Sequence, residues 1–139
     1  GTCQFRSCNE GSCPTRMGQM RSAMNTFLTG NGDVARMGLT IFPADSQCTA
    51  AASNQVLTPI TPASDSTADL QSWASGINQQ IQNQQVTGGT PTGGSLSFVG
   101  TLKELGDPNR EDFVLLLTDG LPNCNSANVN VCTMPTTFE

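Results

Sequence analysis

At 139 residues the chain has the length of one small domain. A net charge of −5 with only six Lys and Arg argues against a nucleic-acid surface, which needs clustered cations. No run is long and apolar enough to span a membrane, and the lack of any histidine removes the commonest general base.

Residues 1–13 read as a cysteine-rich loop. Thr15 to Leu28 has the spacing of a helix, with Met17, Met20, Met24, Phe27 and Leu28 on one side and Gly30 as its stop. Gly30-Asn31-Gly32-Asp33 is a turn. Val34 to Phe42 follows as a strand ended by Pro43, with Met37, Leu39 and Ile41 on one face. A polar loop holding Cys48 leads to a short strand or edge segment at Val56–Ile60, limited by Pro59 and Pro62. Ser66 is placed as an N-cap, with Asp69 three residues on. The helix it starts runs to about Gln82 and buries Leu70, Trp73, Ile77 and Ile81. The amide-rich stretch 78–85 reads as its solvated end. Thr87 to Gly94 is a glycine-rich loop. Ser95 to Leu105 then forms a helix burying Leu96, Val99, Leu102 and Leu105, stopped by Gly106 and Pro108. Phe113 to Thr118 is apolar almost throughout and carries the strongest strand signal, that of a parallel strand covered on both faces. Residues 121–139 form an irregular tail. The alternation of strands and helices predicts an α/β fold with a central parallel sheet.

Six cysteines, an even number, sit in a polar chain with one lysine, at positions 3, 8, 13, 48, 124 and 132. Disulfides and an oxidising compartment explain them better than zinc, because the spacing C-x4-C-x4-C lacks the short pairs of zinc sites. In a parallel sheet the connections that hold them emerge at one edge, so all six are expected at one end of the fold. Cys124 with Cys132 is the expected local pair, leaving Cys48 to reach Cys3, Cys8 or Cys13.

Two segments carry the chemistry. Phe113-Val114-Leu115-Leu116-Leu117-Thr118 ends in Asp119-Gly120, a carboxylate where open α/β sheets place their ligands. The loop 87–95 offers the hydroxyls of Thr90 and Thr92 just before a helix. Hydroxyl and carboxylate oxygens suit a hard cation such as Mg²⁺. Taken singly, each residue has a plainer role: Asp119 as a cap, and Thr90 and Thr92 hydrogen-bonded within a tight loop. Catalytic alternatives fare worse. A nucleotide-binding P-loop would need Lys where Gly94 stands. A hydrolase elbow would need a glycine where Ser97 stands and a base to activate Ser95. An acid pair for glycoside hydrolysis has no partner for Asp119 that stands out.

Together the two segments resemble the von Willebrand factor A domain. Gly88 to Thr92 matches that family's second metal loop, G-x-T-x-T, with Thr90 as the metal-facing threonine. Thr118, Asp119 and Gly120 match its third loop, and Val34–Phe42 its second strand. The resemblance covers roughly residues 14–123. It implies a Rossmann-like fold, a central parallel sheet flanked by helices. It also implies a metal-ion-dependent adhesion site holding Mg²⁺, Ca²⁺ or Mn²⁺ through Thr90 and Asp119. The first metal loop, D-x-S-x-S, is missing, and neither Asp33, Asp45 nor Asp65 has the right neighbours. The chain therefore reads as one partial domain, beginning after the first strand and ending after the fourth. Val34–Phe42 and Phe113–Thr118 should not be neighbours, because the absent strand lies between them. A cation site is expected only if that loop is supplied. The implied role is non-enzymatic: a secreted or cell-surface adhesion module, bacterial in style. Its partner would be a protein ligand or surface matrix contributing a carboxylate, or other subunits of a surface assembly. A metal-free structural domain and a secreted hydrolase are the alternatives.

Overall fold

A computed structural model of the chain describes residues 15–45, 48–85, 88–118, 122 and 124. The cysteine-rich loop 1–13 and the tail beyond Cys124 lie outside them. The described residues fall into two compact units: those within Gly1–Met37 and Thr61–Val86, and those within Gly38–Ile60 and Thr87–Glu139. The fold is mixed α/β, with three α-helices and a two-stranded antiparallel sheet among the described residues. No helix among these residues is long and apolar enough to cross a membrane.

The first unit is a helix pair. Helix α1, Arg16–Asn31, starts at Thr15, whose hydroxyl accepts a bond from Gly18 N at 2.9 Å. It continues through Gly30 and ends at Gly32. Of its expected apolar face only Leu28 is fully buried. Phe27 is 41% exposed, so the methionine face is a half-covered one. Helix α2, Thr67–Asn83, is capped as the sequence predicts, with Asp69 N donating to Ser66 Oγ at 3.2 Å. Its buried stripe is Leu70, Ala74, Ile77 and Ile81, the i, i+4, i+7, i+11 pattern of one helix face. Trp73 flanks that stripe. It is half-buried, and its indole N–H donates to Met37 O at 2.9 Å.

Polar bonds join the two helices. Gln71 Nε2 donates to Leu28 O at 3.1 Å, a carbonyl in the last turn of α1. Asn78 Nδ2 donates to Asn25 Oδ1 at 2.7 Å, and Gln82 Nε2 to Arg21 O at 3.1 Å. The amide-rich end of α2 is therefore partly a contact surface for α1 rather than a solvated end throughout.

In the second unit the strand expected over Val34–Phe42 is confined to β1, Leu39–Thr40. It pairs antiparallel with β2, Val56–Thr58, in the register Leu39↔Thr58 and Thr40↔Val56. Ile41 N extends the contact to Gln55 O at 3.1 Å. The short segment at Val56 was expected, and its pairing with the preceding strand is new. Upstream, Val34 is 69% exposed, and Arg36 forms a two-pronged ion pair with Asp65 at 2.5 and 2.7 Å. Residues 34–38 form no strand.

Helix α3, Thr92–Val99, starts three residues earlier than expected and ends at Gly100. The bonds Thr101 N to Phe98 O and Leu102 N to Val99 O tighten the exit, and one turn of 3₁₀ helix follows at Lys103–Leu105. Leu96, expected in the core, is 41% exposed.

The largest departure is Phe113–Thr118. It is irregular and exposed, not a buried strand. Phe113 is 81% exposed, Leu115 68% and Val114 53%. A run that is apolar on both faces needs paired backbone on both edges and packing on both sides. Among the described residues the run is exposed and is no part of the two-stranded sheet, so the central parallel sheet is not shown. They also give no pairing between this run and Val34–Phe42.

Candidate functional site

The glycine-rich loop is the best-formed candidate, and each of its features has a local cause. Gly88 has φ 73°, the left-handed region that only glycine occupies cheaply. Thr92 N then donates to Thr90 O at 2.9 Å, closing a tight turn across Pro91. Pro91 occupies the N-cap position of α3 with no side-chain hydroxyl or carboxylate to cap the helix. The first-turn N–H groups of α3 consequently lack a side-chain cap.

Ser95 fastens the start of α3 to its surroundings in a different way. Its backbone N donates to Pro91 O at 3.1 Å and its Oγ to the same oxygen at 2.8 Å. The Ser95 Oγ in turn accepts from Ala51 N at 3.1 Å, a bond that is fully buried. Gly94 lies against the same segment: a Cβ there would sit 2.7 Å from Ala50 Cβ. The loop and the start of α3 are thus pinned to residues 50–51.

That segment is itself anchored. Cys48, 1% exposed, is paired with Cys124, with Cα atoms 5.6 Å apart. This overturns both expected pairings: Cys124 joins Cys48 rather than Cys132, and Cys48 does not reach the first three cysteines. The sequence rule favoured a short loop for Cys124, whereas the fold brings together residues 76 apart. Cys3, Cys8, Cys13 and Cys132 lie outside the described residues, as does any clustering of all six at one end. Nearby, Ala44 N donates to Thr49 O at 2.8 Å, and Asp45 accepts from the backbone N and the hydroxyl of Thr49. Asp45 is therefore a turn-forming acid.

Of the expected metal residues, Thr90 is half-buried in the pinned loop. Asp119, together with Gly120, lies outside the described residues. Thr92 holds the unexpected feature. It is 7% exposed, and its Oγ1 is buried without a hydrogen-bond partner. The plainer role for this hydroxyl, bonding within the loop, is filled by Ser95 instead. Sequence reasoning missed Ser95 as an anchor, although its position four residues after a proline cap was the available signal. Among the described residues no three His, Cys, Asp or Glu side chains come together as a metal-ligating group. No family model, curated protein or solved structure matches this chain.

Proposed function

We propose that the chain is an extracellular or cell-surface binding module that recognises a protein ligand or surface matrix through a divalent cation. The observation that carries this reading is the loop Gly88–Gly94, pinned through Ser95 to Ala51, with Thr90 half-buried in it and Thr92 at the start of a helix. The donor chemistry fits a hard cation: neutral hydroxyl oxygens suit Mg²⁺, Ca²⁺ or Mn²⁺. The unpartnered Thr92 hydroxyl supports the fit, because buried hydroxyls ordinarily find a bond.

In this reading Thr90 and Asp119 hold the ion, and the ion binds a carboxylate of the partner. The central parallel sheet and the A-domain-like topology belong to the same proposal, as does location at a cell surface, for which the disulfide Cys48–Cys124 is the support. The rival, a metal-free structural domain, predicts equal stability with and without cation.

Thermal unfolding with Mg²⁺ or Mn²⁺ against a chelator separates the two. Ligand at a hundredfold excess over its Kd should stabilise the chain by about 2.7 kcal/mol. Asp119→Ala and Thr90→Val should abolish that increment. An unchanged midpoint, with no cation bound by calorimetry, would refute the metal reading.

A further inference from the structure

We infer that the Cys48–Cys124 disulfide is a redox-sensitive latch on the glycine-rich loop: reduction by an external dithiol releases the loop, and reoxidation refastens it. The inference is independent of the cation reading and stands if that reading fails. The path from bridge to loop is short. Cys48 is bonded to Cys124 and is 1% exposed. Three residues on, the buried Ala51 donates its N–H to Ser95 Oγ, and Ser95 donates through both Oγ and N to Pro91 O. Between those points Ala50 packs so close to Gly94 that a Cβ there would sit 2.7 Å from its own. Residues 48–51 are therefore the wall on which the loop and the first turn of α3 rest, and the bridge fixes one end of that wall.

The two cysteines are unequally placed. Cys124 is half-buried, whereas Cys48 is buried. A thiolate arriving from solvent reaches the Cys124 side first. It bonds to Cys124 Sγ, the S–S bond breaks, and Cys48 Sγ leaves with the electron pair and takes up a proton. The second thiol of the dithiol then displaces Cys124 Sγ, which is protonated in turn. The reductant ends as a cyclic disulfide, oxidised by two electrons, and the protein gains two thiols. Cys48 left as a thiol is still a small apolar group suited to a buried place. The tether is gone, however, and a chain separation of 76 residues regains its freedom in the open state. Little regular structure resists that opening. In this unit the described elements are a strand of two residues, one of three, the eight-residue α3 and two single turns of 3₁₀ helix.

The test uses the full 139-residue chain with dithiothreitol as the probe. Amide hydrogen exchange is read by NMR at Ala51, at Ser95 and, within α2, at Ile77, in the oxidised, reduced and reoxidised chain. A chain carrying Cys48→Ala and Cys124→Ala, with the other four cysteines kept, is read alongside. Exchange at Ala51 and Ser95 should quicken about tenfold or more on reduction and recover on reoxidation, with Ile77 unchanged. In the double variant both amides should exchange fast from the outset, and dithiothreitol should add nothing. Unchanged exchange at Ala51 and Ser95 once alkylation shows both cysteines reduced would overturn the latch, since the wall would then hold itself. A bridge that dithiothreitol leaves intact in the folded chain, or a loop that does not recover, would overturn it as well. So would equal quickening at Ile77, which marks unfolding of the whole chain, or a dithiothreitol response that persists in the double variant, which assigns the sensitivity to other cysteines.

Discussion

Removing the Cys48–Cys124 disulfide, by replacing both residues with alanine, should be the most damaging surgical change to the second unit. The bridge closes a sequence separation of 76 residues. In the chain-entropy account a loop of that size restricts the unfolded state by about 4.5 kcal/mol at 25 °C. Domains of this class are stable by only about 5–15 kcal/mol in total. With an unfolding entropy of roughly 0.3 kcal/mol/K for a chain this long, the midpoint should fall by roughly 15 °C. Using the double variant avoids a stray thiol and leaves the other four cysteines untouched. Calorimetric melting under non-reducing conditions measures the change. Hydrogen exchange at the Ala51 amide localises it, because that N–H is held by Ser95 beside the bridge. A midpoint within about 3 °C of wild type would contradict the entropic argument. A peptide map joining Cys48 to any residue but Cys124 would contradict the pairing itself.

Ser95→Ala removes the acceptor of the Ala51 N–H and should cost about 1–3 kcal/mol in urea unfolding, since a buried donor is left unpaired; a cost near zero would show that the loop is not pinned there. Asp69 is held below the ordinary aspartate range by hydrogen bonds from Ser64 and then Ser66. A depressed folded-state pKa gives stability that is fully present above the unfolded value and is lost as pH falls through the folded one. Asp69→Asn should therefore flatten the acid limb of the stability profile below about pH 4, and an NMR titration placing Asp69 at or above the ordinary value would sink this account. Leu115, 68% exposed within an apolar run, should drive concentration-dependent association. Leu115→Lys should reduce it in sedimentation velocity, and a wild-type chain that stays monomeric at all concentrations would count against an exposed run.

The helices were legible because their signals are local. Thr15 and Ser66 cap α1 and α2 through bonds spanning three residues, and the apolar period of α2 repeats within its own length. Even there the register was only nearly right: Ala74 takes the central position that sequence assigned to Trp73, and the half-buried indole donates to the Met37 carbonyl. The sheet was illegible for the opposite reason. An apolar run such as Phe113–Thr118 states that it wants burial on both faces but not which backbone will pair with it. Over Val34–Phe42 only Leu39–Thr40 formed a strand, and Arg36 there is engaged with Asp65, a residue 29 positions on that the local pattern does not announce. The candidate site divides the same way. Its loop was visible as glycines and threonines, whereas its anchors, Ser95 on Ala51 and Cys48 on Cys124, are contacts between residues 44 and 76 apart.

This division bears on how the proposed site would work. The threonine half keeps its shape without any sheet, since its fastenings run from Pro91 and Ser95 to Ala51. The carboxylate half does not share that independence. Asp119 directly follows Thr118, and the end of a strand is a fixed point only when the strand is paired. Among the described residues, 113–118 are exposed and belong to neither strand of the sheet. On the proposed reading, pairing that run would therefore place the Asp119 carboxylate, and placing the carboxylate would raise cation affinity. Such coupling is reciprocal: whatever factor pairing adds to cation affinity, the cation adds to pairing. A strand supplied to Phe113–Thr118 should then bind more tightly in Mn²⁺ than in chelator, and Asp119→Ala should erase the difference without preventing the pairing. Equal strand affinity in the two conditions would mean that the run and the loop do not belong to one site.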